Sequence, residues 1–298
     1  MKILVTGASG LVGSALVPLL AGGGHEVARL GRSTPGPGDI RWDPDAGVLD
    51  AAALEGFDGV IHLAGENIAA GRWNAARKRR IKDSRVRGTR LLAETLAGLE
   101  RPPRVLVSAS AIGFYGDRGD KELGEESPAG TGFLTEVCRE WEAATEAAAG
   151  KGIRVVHARL GVVLSRDGGA LAKMLTPFKL GAGGIVGSGR QYMSWITLED
   201  TVAALAHLLV TETAAGPVNV VAPAPVTNRE FTKALGRALR RPTLFPLPAF
   251  VARVVFGEMA DALLLGSTRV KPASLLDSGY VFRHGSLEEG LRAVLGAA

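Results

Sequence analysis

A chain of 298 residues carries 35 Lys and Arg against 30 Asp and Glu, a formal charge of +5, with 46% hydrophobic and 22% charged residues. That composition belongs to an ordinary globular chain, long enough for one large α/β domain with an appendage or two smaller ones, and argues against disorder. One cysteine, Cys138, excludes an intramolecular disulfide and a thiolate metal cluster, so the expected compartment is a reducing, cytoplasmic one. Gly7, Ser9 and Gly10 interrupt the first apolar run before it could act as a signal segment. The apolar stretch Leu244 to Gly257 is cut by Pro246, Pro248 and Arg253 and is too short to cross a bilayer. The chain reads as soluble, with no membrane partner.

In chain order, continuous aliphatic runs occur at Ile3–Val5, Glu26–Leu30, Gly59–Leu63, Arg104–Val107, Ile153–Ala158 and Pro217–Val221. Runs that are apolar throughout suit parallel strands covered on both faces. Between them, Leu11–Leu20, Val86–Leu99, Phe133–Ala149 and Leu198–Val210 repeat apolar residues at helical spacing. The expectation is an α/β fold, a Rossmann-type doubly wound parallel sheet over 1–165. A smaller interleaved C-terminal substrate lobe over 166–298 would return to the sheet at 196–222.

The first run ends in Thr6-Gly7-Ala8-Ser9-Gly10-Leu11-Val12-Gly13, a G-x-x-G-x-x-G loop between strand and helix. Glycines there permit a tight turn and close approach of backbone to a pyrophosphate, and the helix N-terminus offers unpaired N–H groups to the anion. A dinucleotide site is expected on Gly7, Ser9, Gly10, Leu11, Val12 and Gly13. The only Gly-Lys pair, Gly150-Lys151, is followed by Gly152, which excludes a mononucleotide P-loop. An NAD site needs an acid near the end of the second strand. From Val27 to Gly38 there is none, and Arg29, Arg32 and Ser33 stand instead. Arg32 suits a 2′-phosphate, so NADP(H) is preferred and NAD(H) second; the alternative is that Arg32 is a solvated loop arginine.

With Leu63-Ala64-Gly65 closing the third of these runs and Gly88-Thr89 in the next helix, the sequence resembles the short-chain dehydrogenase/reductase superfamily, extended type. Arg72-Trp73, Ser84-Arg85, Phe114-Tyr115-Gly116-Asp117, Trp141-Glu142, Gly187-Ser188-Gly189-Arg190-Gln191 and Ser194-Trp195-Ile196 are similar to an atypical subgroup labelled NAD(P)-dependent epimerases. Some of its members carry a cell-division-inhibitor label. The resemblance implies a reductase or epimerase, with Leu63, Ala64, Gly65 and Ser108 also lining the cofactor, and Gln191 and Ser194 touching substrate. It further implies a Tyr-x-x-x-Lys acid/base pair, because a phenol near pKa 10 exchanges protons poorly at pH 7 unaided. The chain has no such pair: Val137 and Trp141 occupy the two positions, and Arg85 stands where a relay Asn is expected. Of the four, Ser110 remains. The arginine that grips a sugar diphosphate falls at Met193, with Arg190 close enough to substitute.

The catalytic candidates are therefore Tyr115, just past a strand end on the ligand edge, and Ser110 beside it. Glu66 and Asn67 share that edge, where they touch ribose or substrate or cap the turn. Arg159 faces phosphate or solvent. No metal site is expected, since the five histidines lack ligand spacing, and His62 and His157 lie in predicted strands as core residues. Cys138 reads as a small apolar residue.

Between Arg72 and Arg90 stand nine basic residues and one acid, Asp83, a local charge of +8 that leaves −3 for the rest. Three readings stay open for this helix: a solvated face, steering of a small anion, or nucleic acid. The charges lie all round the helix and aromatics are 5% of the chain, so a nucleic-acid partner is not expected. The expected partners are a nucleotide cofactor and a small, anionic substrate, with a homo-oligomer left open. A non-catalytic NADP(H)-binding regulator is the alternative.

Overall fold

A computed structural model describes residues 1–33, 36 and 38–296. The first strands are β1 (Lys2–Thr6), β2 (Glu26–Gly31), β3 (Ile40–Asp43), β4 (Val48–Leu49), β5 (Gly59–His62), β6 (Val105–Ala111) and β7 (Glu122–Leu123). They are followed by β8 (Arg154–Leu160), β9 (Val162–Leu164), β10 (Tyr192–Met193), β11 (Trp195–Thr197), β12 (Gly216–Val220), β13 (Val226–Thr227) and β14 (Arg269–Val270). Eight form one sheet in the order β12-β8-β6-β5-β1-β2-β3-β4. Every pairing in it is parallel except β3 with β4, and the order reverses between β1 and β5. This is an α/β, Rossmann-like fold with a mostly parallel central sheet.

The helices that position the site are α1 (Leu11–Gly22), α2 (Ala75–Ala97), α3 (Phe133–Ala143), α4 (Glu146–Gly150), α5 (Gly169–Lys179), α6 (Leu198–Val210), α7 (Asn228–Leu239) and α8 (Ala249–Phe256). Ile3 and Val5 pack with α1 and α6 residues such as Leu16, Leu20, Leu205 and Leu208. Leu4 points the other way, onto Leu92 and Leu96 of α2 and Leu106 of the sheet. Alternate residues of one strand thus enter two cores, which is why its sequence is apolar throughout. A third core gathers Leu171, Phe178, Trp195, Phe231 and Leu235 with Leu287 and Leu291 of the last helix.

Three elements differ from their sequence pattern. The helix expected from Val86 begins at Ala75, because Asn74 caps it by accepting from the Arg77 N–H at 2.8 Å and the apolar face continues through Ile81. The helix expected over 133–149 breaks after Ala143, where the Thr145 hydroxyl donates to the Glu142 carbonyl at 2.8 Å. Strand β3 carries too short an apolar run to stand out, and its Trp42 is buried against the α2 side.

Candidate functional site

The sheet's reversal point sets β1 and β5 side by side, with Thr6 in register with His62, and the loops leaving both strands meet. Gly7 has φ +66, and a Cβ on it would lie 2.7 Å from the Leu63 carbonyl carbon and oxygen, so no side chain fits. A Cβ on Gly13 would lie 2.2 Å from the Gly7 carbonyl oxygen, which holds α1 hard against the loop. Gly10 occupies the N-cap with no side-chain cap, and α1 has no acid in its first turn. The first turn, from Leu11 through Val12 to Gly13, therefore begins without a capping side chain or competing carboxylate, and Ser9 beside it is exposed. That cradle fits a pyrophosphate.

Beneath the loops runs a buried polar chain. Thr6 Oγ1 accepts from the N–H groups of Leu63 at 3.0 Å and Ala64 at 3.1 Å, so its own proton goes to His62 Nδ1 at 2.7 Å. His62 Nε2 then carries the hydrogen and donates to Thr89 Oγ1 at 2.9 Å, which also accepts from Trp141 Nε1 at 2.9 Å. Trp141, at the family's Lys position, is thus turned inward, and Val137 at the Tyr position is buried. Burial lowers the His62 pKa to about 4. In the unfolded chain His62 binds its proton near pH 6.5 and in the fold only near 4, so its stability contribution is full above 6.5 and is lost as pH falls through that window. The gap corresponds to roughly 3 kcal/mol. Urea unfolding between pH 7 and pH 4 should show this loss, and His62→Gln should flatten it.

The other candidates lie one strand over. Ser110 Oγ donates to Glu142 Oε1 at 2.7 Å, and Arg159 forks that carboxylate through Nε to Oε1 at 2.8 Å and Nη2 to Oε2 at 2.9 Å. Arg159 Nη1 also donates to the Tyr115 hydroxyl at 2.9 Å, and that hydroxyl donates to Asn219 Oδ1 at 2.7 Å. Burial opposes the Arg159 charge, but Glu142 and Tyr115 outweigh it and raise its pKa. Tyr115 is 0% exposed, with both hydrogen-bonding directions used, and burial raises its pKa despite Arg159. As an acid it has neither a free face nor a favourable pKa. Arg159 meets neither phosphate nor solvent; it is 4% exposed and paired. Ser108 is 1% exposed, and its hydroxyl has no partner among the described residues.

The candidate substrate residues separate. Glu66 pairs with Arg77 at 2.9 Å, and Asn67 Oδ1 accepts from the Ala69 N–H at 2.9 Å, closing the turn. Gln191 Nε2 donates to the carbonyls of Val186 and Leu264, both at 2.9 Å. Ser194 is 0% exposed, donates to the Thr268 carbonyl and accepts from the Val270 N–H, each at 2.8 Å. Gln191 and Ser194 thus tie the lobe together, whereas Arg190 is exposed. Arg32 is exposed immediately after β2. The basic helix spends much of its charge on tertiary contacts: Arg77 on Glu66, Lys78 on Glu258 and Lys82 on Glu140. Arg85 donates to the Glu66 carbonyl at 3.0 Å and lies 5.1 Å over the Trp141 ring. In the sequence Arg85 is marked only as standing at the relay position and Glu142 only as part of the Trp141-Glu142 pair, and Asn219 is not singled out. The amide of Asn219 in the apolar run Pro217–Val221 is a signal, whereas Glu142 stands among Glu136, Arg139 and Glu140 and has none.

The NAD dependent epimerase/dehydratase family model matches residues 3–221, and a domain of unknown function, DUF1731, matches 247–294. The chain belongs to the NAD dependent epimerase/dehydratase family. The epimerase family protein Mb2239 of Mycobacterium bovis is 45% identical over 290 residues, covering 97% of this chain and 96% of that one. The crystal structure of human epimerase family protein SDR39U1 (isoform 2) with NADPH superposes with TM-score 0.92 at 37% identity, covering 100% of both chains. A nucleoside-diphosphate sugar epimerase from Corynebacterium glutamicum gives TM-score 0.83 at 39% identity, covering 99% of this chain and 58% of that one.

Proposed function

We propose that the protein is an NADP(H)-dependent oxidoreductase or epimerase acting on a small anionic substrate. The observation that carries the cofactor choice is Arg32, exposed at the end of β2, where the sequence from Val27 to Gly38 has no acid and the neighbouring Asp39 carboxylate is engaged by the Arg29 N–H at 3.0 Å; the NADPH in the human relative supports it. Gly7, Ser9, Gly10, Leu11, Val12 and Gly13 hold the pyrophosphate, Arg32 the 2′-phosphate, and Leu63, Ala64, Gly65 and Ser108 line the path toward the nicotinamide. The cofactor supplies hydride transfer. Ser110, 2% exposed, gives its own proton to Glu142, so its Oγ can only accept from a substrate hydroxyl; Glu142 and Arg159 hold it in that orientation, and Tyr115 positions Arg159. Arg190, exposed on the lobe, is the substrate-side cation.

Arg32→Ala should weaken NADPH binding about tenfold to a hundredfold, the loss of one charge-assisted contact, and leave NADH unchanged. Calorimetric titration of both cofactors decides; equal loss for both, or tighter NADH binding by the unaltered protein, removes the NADP assignment. A second reading, a cofactor-binding regulator, is favoured by the inward Trp141 and buried Val137. Incubation with NADPH and a broad carbonyl panel separates the two. Turnover lost in Ser110→Ala supports the enzyme, and none across the panel supports the regulator.

A further inference from the structure

A second basic segment follows the start of α7, and its far end lies beside α2, where Lys78 pairs with Glu258. Between Arg229 and Phe256 there are six basic residues, Arg229, Lys233, Arg237, Arg240, Arg241 and Arg253, and one acid, Glu230. Lys233, Arg237, Arg240 and Arg241 line an open recess of about 430 Å³ at the C-terminal end of α7. Arg237 pairs with the exposed Glu288 at 2.9 Å and Arg253 with Asp261. Lys233 and Arg240 have no acid partner among the described residues. Arg240 turns the chain at φ 53, and the N–H groups of Arg240 and Arg241 satisfy the Arg237 and Gly236 carbonyls, so the helix end is closed.

Directly beyond the recess the chain turns its apolar side chains outward. Leu244 is 71% exposed, Phe245 63%, Phe250 67% and Val254 70%, with Phe250 and Val254 one turn apart on α8. Leu244 also lines the recess, so an exposed apolar side chain meets the cations there, and Phe245 follows it in the chain. Leu180, 79% exposed, adjoins it, since Arg241 donates to the Lys179 carbonyl at 2.8 Å and a Cβ on Gly184 would meet the Phe245 carbonyl. Side chains this exposed stand out from the surface instead of lining a groove. A protein partner would have to offer matching pockets, and a second copy docked two-fold would set the basic segment against itself. A fluid, anionic headgroup layer answers both features.

We propose that this face docks on an anionic phospholipid bilayer, a headgroup phosphate entering the recess while Leu244, Phe245, Phe250 and Val254 sink into the acyl boundary. Among the described residues no helix is long and apolar enough to cross a membrane, so the contact is peripheral. The test is co-sedimentation of the full chain with vesicles of phosphatidylcholine alone or mixed with phosphatidylglycerol. The expected result is binding to the mixed vesicles only, weakened by salt. It should fall about tenfold or more in R240E/R241E and severalfold in F250S/V254S, with NADPH binding retained in all as the control for folding. Absence of mixed-vesicle binding overturns the proposal, as does binding that both double variants retain. An F250S/V254S-sensitive dimer in sedimentation velocity without vesicle binding overturns it in favour of self-association. Thermal stabilisation by inorganic phosphate without vesicle binding overturns it in favour of a free anion.

Discussion

Arg159→Leu should destabilise the protein by about 3–5 kcal/mol, because it strands the Glu142 carboxylate in a site where its partner is 4% exposed. Ser110 and Tyr115 would lose their orientation together, since one guanidinium holds both through Glu142 and directly. Urea unfolding at neutral pH measures the loss. Glu142→Leu combined with Arg159→Leu should recover much of it, since replacing both charges removes the uncompensated one. If the double variant is as unstable as the sum of the two single ones, the pair is not a closed electrostatic unit. The same variants report on chemistry: a structural pair moves stability alone, whereas a pair that aims Ser110 also lowers turnover in protein that remains folded.

Gly13→Ala should weaken NADPH binding by about one to two orders of magnitude, because the new methyl would sit 2.2 Å from the Gly7 carbonyl oxygen and push the loop from α1. Both glycines also face backbone, which cannot yield as a flexible side chain does. Gly22→Ala, at the far end of the same helix with nothing within 4 Å of its Cβ, is the control and should leave affinity unchanged. Calorimetry with NADPH, alongside circular dichroism to confirm folding, reads both variants. Unchanged affinity in Gly13→Ala would mean that the loop relaxes freely and that the helix N-terminus is not the anchor.

The parallel sheet and the glycine loop were legible because their signals are local. A strand buried on both faces is apolar throughout, as Ile3 to Val5 is, and a backbone with no room for a Cβ demands glycine, as at Gly7 and Gly13. The fate of polar residues was not legible, because it depends on partners distant in sequence. Ser194 and Gln191 were expected at the substrate, yet Ser194 bonds Thr268 and Val270, and Gln191 bonds Leu264, all about seventy residues downstream. Arg159 at a strand end looks the same in sequence whether it faces phosphate or Glu142. The missing Tyr-x-x-x-Lys pair was legible, but not that Trp141 turns inward to Thr89.

The two family matches divide the chain near residue 247, but its contacts do not. The buried Asp200, at the start of α6, accepts from the Tyr280 hydroxyl and from the N–H groups of Arg283 and His284. Leu275 and Tyr280 fill the core beside β1, and β14 pairs with β7 across almost 150 residues. The nucleotide-binding half therefore cannot complete its own interior until the segment from Arg269 to His284 has left the ribosome. Folding of this chain should be slow and strongly nonlocal, finishing as one cooperative event only once that segment is available.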